Sequence, residues 1–201
     1  MFGRDRAKAA QIREATMIFE EKTISSEYKY KGKILNLRVD KVTAPKGEAT
    51  REIVEHNGGV GLLAITDEGK IVMVRQYRYA AGEAALEIPA GKLEEGENPM
   101  EAAIRELKEE TGYSAGKVQF LFSYYNSIGY SGELMHTYLF TGLIPGEQHF
   151  DDDEAIEVEE YTPDEMVEMV RDGRIFDGKT IVAAYFLKDY FREHPELTAN
   201  K

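Results

Sequence analysis

Apolar positions along the chain fall into two rhythms. "ILNLRVDKV" (34–42) alternates apolar and polar residues, the period of a half-buried strand. "APKG" breaks it as a turn, and "REIVEH" follows as a second short strand, so residues 22–56 predict an antiparallel hairpin or meander. "GVGLLAIT" and "KIVMVRQYR" are dense apolar runs on either side of "DEG", which predicts a hairpin with both strands largely buried. "AALEIPAGKLEEGE" reads as a strand leading into a loop. "KVQFLFSYYNS" and "LMHTYLFTGLI" are two further strands separated by the glycine-rich "IGYSGE". An acidic loop, "QHFDDDEAIEVEEYT", runs into another strand. "PDEMVEMVRDG" and "GKTIVAAYFLKDYFREH" carry apolar residues at helical spacing and close the chain as two helices. Residues 1–16 are polar and alanine-rich, a short separate helix or a frayed end. Strands, one central helix, more strands, then helices make an α+β order, not regular βαβ alternation.

The central helix spans 98–111. Asn98 is a good N-cap, Pro99 suits the first helical position, and Gly112 is placed to end the helix. Met100, Ala103, Ile104, Leu107 and Thr111 fall on one face, which predicts packing on the sheet. Glu106, Glu109 and Glu110 project into one neighbourhood beside that face, and Arg105 can pair with Glu109 one turn on. A solvated charged face is the usual meaning of such a run. Two features point elsewhere: the carboxylates border the buried face, and a glycine loop precedes the helix. A hard divalent cation would turn repulsion into coordination, and an all-oxygen donor set favours Mg²⁺ or Mn²⁺ over Zn²⁺.

Composition narrows the chemistry. A net charge of −12 argues against nucleic acid as the main partner. The absence of cysteine excludes disulfides, thiolate nucleophiles and zinc–thiolate sites, and fits a reducing compartment. No stretch approaches a membrane span, and the N-terminus lacks a secretory apolar region, so a cytoplasmic protein is expected. His56, His136, His149 and His194 carry no ligand spacing and read as structural or surface residues.

From Gly91 the chain reads Gly, five residues, Glu97, seven residues, then Arg105-Glu106-Leu107-Lys108-Glu109-Glu110-Thr111-Gly112-Tyr113. This resembles the Nudix box, G-x5-E-x7-R-E-U-x-E-E-x-G-U, where U is a bulky aliphatic. Eight of the nine specified positions match, and Tyr113 is bulky but aromatic. The resemblance implies an αβα sandwich with a mixed central sheet and hydrolysis of a nucleoside diphosphate linked to a further moiety. It further implies that Glu106 and Glu110 are metal ligands, that Glu109 reaches a metal directly or through water, and that Ala90, beside Gly91, offers its carbonyl. Glu97 would brace the motif and Arg105 would orient the glutamates.

The flanks, "MVRQYRYAAGEAALEIPAG", the N-terminal strands and "DGRIFDGKTIVAAYFLKDYF", resemble ADP-ribose pyrophosphatases over roughly residues 20–192. That likeness implies three segments: an extension of 1–16, a small N-terminal antiparallel β-sheet at 17–56 that exchanges between subunits of a homodimer, and a hydrolase domain at 57–195. It implies that Arg78 and Arg51 contact substrate, each against the alternative of a surface salt bridge. Tyr30 would stack on adenine or pack in its sheet. Glu133 takes the acidic place in the loop after the box, but Ile128 stands where many ADP-ribose hydrolases have proline. Glu154 aligns best as a further metal ligand, general base or both, with Asp152 its nearest rival. Another nucleoside diphosphate sugar, a dinucleotide, or a regulatory module that binds ADP-ribose uncleaved are the alternatives.

Overall fold

In a computed structural model describing residues 18–149 and 155–197, the chain divides into two compact units, Met1–Glu55 and His56–Lys201.

The first unit is an antiparallel meander of β1 (Thr23–Lys31), β2 (Asn36–Ala44) and β3 (Gly47–Glu55), in the order β1-β2-β3. The β2–β3 turn closes at Gly47, whose φ of 113° suits glycine. Every residue of β1 is exposed, and only Asp40 and Val42 of β2 are buried. Arg38 forks onto Asp40 at 2.8 and 2.9 Å and also reaches Glu55.

The second unit holds two sheets. One runs β10-β5-β6, built from β5 (Ile71–Arg78), β6 (Glu83–Glu87) and β10 (Glu157–Tyr161). The other runs β7-β4-β9-β8, built from β4 (Gly59–Ala64), β7 (Ala90–Lys92), β8 (Ser114–Tyr125) and β9 (Leu134–Ile144). β4 pairs parallel with β9 and antiparallel with β7, so the sheet is mixed. Helix α1 (Pro99–Thr111) covers one side; α2 (Pro163–Arg171) and α3 (Gly178–Glu193) cover the other. β4 is buried at all six positions because it is sandwiched. Val60, Leu62 and Ala64 meet Ala102, Ala103 and Leu107 of α1. Leu63 shares the opposite cluster with Met166, Ala183 and Leu187. This is the αβα sandwich implied by the sequence.

Two expectations are corrected. β4 and β5 do not form a hairpin ladder; a single bridge, Ile65 to Ile71, joins their ends before they enter different sheets. Strands buried on both faces satisfy their backbones with non-local partners as readily as with the neighbour in sequence. The buried face of α1 is also rotated from the one predicted. Ala102, Ala103, Leu107, Glu110 and Thr111 are buried, whereas Met100 and Ile104 are exposed. The small alanines let the helix approach the sheet closely.

Leu107 is among the largest fully buried side chains of that layer. Leu107→Ala is expected to cost about 3 kcal/mol in urea unfolding, the usual scale for a leucine cavity. A loss under about 1 kcal/mol would mean the α1–sheet contact is not a packed core.

Candidate active site

β6 ends at Glu87 in one sheet, the Pro89 carbonyl accepts from the Leu62 amide at 2.9 Å, and β7 starts at Ala90 against Gly61 of β4 in the other. The chain then loops into α1, whose N-cap Asn98 accepts from the Met100 amide at 2.9 Å. Gly112 ends the helix with a left-handed φ of 75°. The loop is tied to the helix through Glu97, which accepts from the Glu94 amide at 3.0 Å and from Arg105 Nε at 3.2 Å. These two interactions hold the Glu97 carboxyl below its ordinary range.

Arg105 also donates from Nη1 to Glu106 at 2.9 Å and to Glu109 at 2.8 Å. Burial disfavours its charge, but Glu97, Glu106 and Glu109 outweigh it and hold the guanidinium firmly protonated. Glu110, only 4% exposed, accepts from the Ala90 amide at 2.9 Å. The Glu106 carboxylate lies against Gly91, so closely that a Cβ on residue 91 would sit 1.8 Å from its Cδ. Ala90, Gly91, Arg105, Glu106, Glu109 and Glu110 are thus brought together at the β7–α1 junction.

Among the described residues, no three acidic or histidine side chains converge as a metal cage. Arg105 and the Ala90 amide engage the glutamates instead. The residues nevertheless fit a hard cation by chemistry, since the donors are all oxygen and Gly91 leaves open the space Glu106 occupies.

Arg78, at the end of β5, makes a two-pronged contact with Glu87, Nε and Nη2 each at 2.7 Å. Lys179 of α3 donates to the same carboxylate and lies 3.1 Å from Asp177. Burial acts against the charge on Glu87, yet its two cationic partners keep its pKa low. Glu87 and Lys179 escaped the sequence reading. The available signals were a lone Glu in the apolar "AALEI" and a Lys in the first turn of a helix whose next seven residues after Thr180, "IVAAYFL", carry no charge. Glu133 lies beside His56, 3.9 Å from Nδ1, and its charge adds to that of Asp177 in raising the pKa of the half-buried Tyr124 phenol, which desolvation raises most. His56 Nδ1 also accepts from the Gly58 amide, His136 pairs with Ser123, and His194 with Glu196. Ile128 is exposed.

Tyr30 and Arg51 belong to the first unit. Tyr30 is exposed, with its ring across Gly32. Arg51 pairs with Glu21, Nε to Oε2 at 2.9 Å. Glu154 and Asp152 lie outside the described residues. The segment entering their loop is anchored on the end of α1: the His149 amide donates to the Glu109 carbonyl at 3.1 Å, and Gln148 Nε2 to the Glu110 carbonyl at 2.8 Å.

The NUDIX domain family model matches residues 55–183, well over half the chain. The chain belongs to the NUDIX domain family. Its Nudix segment is preceded by a match at residues 21–54 to the nucleoside diphosphate sugar hydrolase N-terminal domain. The methanol dehydrogenase activator of Bacillus methanolicus is 44% identical over 174 residues, covering 85% of this chain and 94% of the relative. The ADP-ribose pyrophosphatase of Bacillus subtilis (strain 168) is 44% identical over 172 residues, covering 84% and 93%. In shape the Nudix fold is shared with the crystal structure of an ADP compounds hydrolase, at a TM-score of 0.79 and 19% identity, over 90% of this chain and 99% of that one. At that identity the match speaks for the fold alone.

Proposed function

We propose that this Nudix hydrolase cleaves the pyrophosphate bond of ADP-ribose, or of a closely related nucleoside diphosphate sugar, giving AMP and the sugar phosphate. The observation that carries this is the complete Arg105, Glu106, Glu109, Glu110 array seated against Ala90 and Gly91. It is joined by near full-length likeness to an ADP-ribose pyrophosphatase. Glu106, Glu109 and Glu110, the Ala90 carbonyl and Glu154 would hold Mg²⁺, or Mn²⁺ in its place. Held there, a divalent cation would offset the charge of the diphosphate and lower the pKa of a water. Glu154 would be a further ligand, the base that takes the proton of the attacking water, or both, with Asp152 as its rival and Glu109 assisting. Arg105 orients Glu106 and Glu109 and holds them close to one another. Arg78 contacts the diphosphate, and Glu133 and Gly91 line the substrate's path. A guanidinium suits a phosphate because it offers paired donors.

Tyr30 and Arg51 complete the substrate site from the N-terminal sheet on this reading, in a homodimer that pairs or exchanges β1–β3. Ile24, Tyr28, Tyr30, Ile34 and Leu35 are all exposed in the single chain, which supports burial against a second copy. The net charge of −12 argues against nucleic acid as the main partner. Among the described residues no helix is long and apolar enough to cross a membrane.

The test is turnover of ADP-ribose, ADP-glucose, NADH and a nucleoside triphosphate side by side with Mg²⁺, with products identified. AMP release from ADP-ribose at the highest kcat/KM is expected; a preference for the triphosphate would overturn the assignment. Likeness to the methanol dehydrogenase activator carries a second reading, in which the chain raises the rate of an alcohol dehydrogenase. That appears as a faster dehydrogenase when the chain is added, and is lost in Glu106→Gln if it depends on hydrolysis.

Millimolar Mg²⁺ is expected to raise the melting temperature by a few degrees, because it binds the native state alone. No shift would show that the metal site forms only with substrate present.

A further inference from the structure

Arg78 is held across its own β5–β6 hairpin. Its Nε–H and one Nη2–H are both engaged by Glu87, a carboxylate 1% exposed at the end of β6. That fork fixes the plane of the guanidinium and turns its Nη1 edge away from Glu87. The Arg78 side chain is 42% exposed, so the guanidinium is held without being sealed off. A second cation shares the carboxylate: Lys179, with a side chain only 11% exposed, donates to Glu87 Oε2.

Lys179 is itself placed by the first turn of α3. Asp177 caps that turn, accepting from the Thr180 amide at 2.9 Å and from its hydroxyl at 2.6 Å. The Thr180 hydroxyl in turn accepts from the Ile88 amide at 3.0 Å, next to Glu87 and just before Ala90. The segment "DGKT" therefore clamps "EI", and the clamp lies directly upstream of the Nudix loop. Glu110 and Asp177 also attract the guanidinium, but Glu87 is the carboxylate that forks onto it.

We propose that Glu87 and Lys179 are positioning residues for substrate binding, Glu87 fixing the guanidinium of Arg78 for the diphosphate and Lys179 fixing Glu87. Lys179 has a second effect. It supplies the charge that balances Glu87, so the Arg78 cation is not spent wholly on an internal carboxylate. The inference rests on Arg78 contacting the phosphates.

The experiment compares Arg78→Ala, Glu87→Gln, their double variant, Lys179→Met and Lys179→Arg by steady-state kinetics on ADP-ribose. Calorimetric Kd for ADP-ribose is a second readout that does not need turnover. Arg78→Ala and Glu87→Gln are each expected to raise KM and Kd by about tenfold to a hundredfold, the scale of one hydrogen bond to a charged group, with kcat within about threefold. Because Glu87 acts through Arg78, the double variant should be no weaker than Arg78→Ala alone. Lys179→Met should raise KM and Lys179→Arg should restore it, a pair that decides the matter even where Glu87→Gln fails to fold. Multiplying effects in the double variant, or an unchanged KM in Glu87→Gln or in Lys179→Met, would overturn the proposal. An unchanged KM and Kd in Arg78→Ala would overturn it together with the phosphate role of Arg78. Wild-type chain that binds ADP-ribose without cleaving it would sink only the hydrolytic reading, and Kd values then decide the positioning roles.

Discussion

Glu106→Gln and Glu110→Gln are each expected to lower ADP-ribose turnover by about a thousandfold or more, the scale of several kcal/mol of lost transition-state stabilisation. Glutamine keeps the shape and one carbonyl acceptor while removing the charge. In Glu110→Gln the new side-chain carbonyl can still accept from the Ala90 amide, and in Glu106→Gln it can still accept from Arg105, so the local hydrogen bonds survive. The fold should therefore stand, with circular dichroism unchanged. The charge is another matter. A diphosphate site needs metal to offset its substrate's negative charge, and the glutamates are what would hold the metal. Metal binding gives a second readout. In the present geometry the Arg105 guanidinium is the cation that lets Glu106 and Glu109 lie side by side. Losing a charge from the cluster weakens its pull on a further cation, so Mg²⁺ should stabilise the variants less than the parent chain. Turnover above a tenth of the parent rate in both variants, with intact folding, would remove these residues from the metal site.

How far this was readable from sequence depended on how local the physics is. The ends of α1 were legible because a cap is decided within one turn of chain: Asn98 accepts its amide and Gly112 takes the left-handed turn. The β4–β5 pair was misjudged because pairing is not local. Two apolar runs around "DEG" look like a hairpin, yet β4 finds β9, far along the chain on the other side of α1. The face of α1 was misjudged for a chemical reason. A hydrophobic wheel places Met100 and Ile104 inward, whereas the helix turns Glu110 inward onto the Ala90 amide. Periodicity sees apolarity and cannot see a carboxylate whose burial is made tolerable by a backbone donor. Glu87 escaped for the same reason: its two cations come from β5 and α3, outside the "AALEI" segment that carries it. The Nudix box was legible because its spacing is itself the geometry, one loop and one helix long.

Gly91→Ala isolates that geometry, and it is expected to abolish most activity with little loss of stability. Gly91 has no positive φ, so alanine meets no backbone penalty there. The obstacle is a side chain. The new methyl would lie 1.8 Å from Glu106 Cδ and 1.9 Å from Oε1, far inside contact distance. Those atoms are the far end of a flexible side chain, so Glu106 can yield by rotating away, and the β4–β7 ladder need not move. The cost to folding should be modest, about 1 kcal/mol, the low end of the range for overpacking. The cost to chemistry should not be modest. A displaced Glu106 leaves the place that Gly91 keeps open for it, and a shift of about 1 Å in a positioned group can cost a hundredfold in rate. Gly91→Ala should therefore pair a melting temperature within a few degrees of the parent with at least about a hundredfold loss of kcat. Gly91→Ser should behave alike, and Gly96→Ala, where a Cβ meets open space but φ is +78°, should lose some stability and keep kcat. If Gly91→Ala keeps full activity, Glu106 does not need the position it holds against Gly91, and the box would be read here as a scaffold instead of a ligand array.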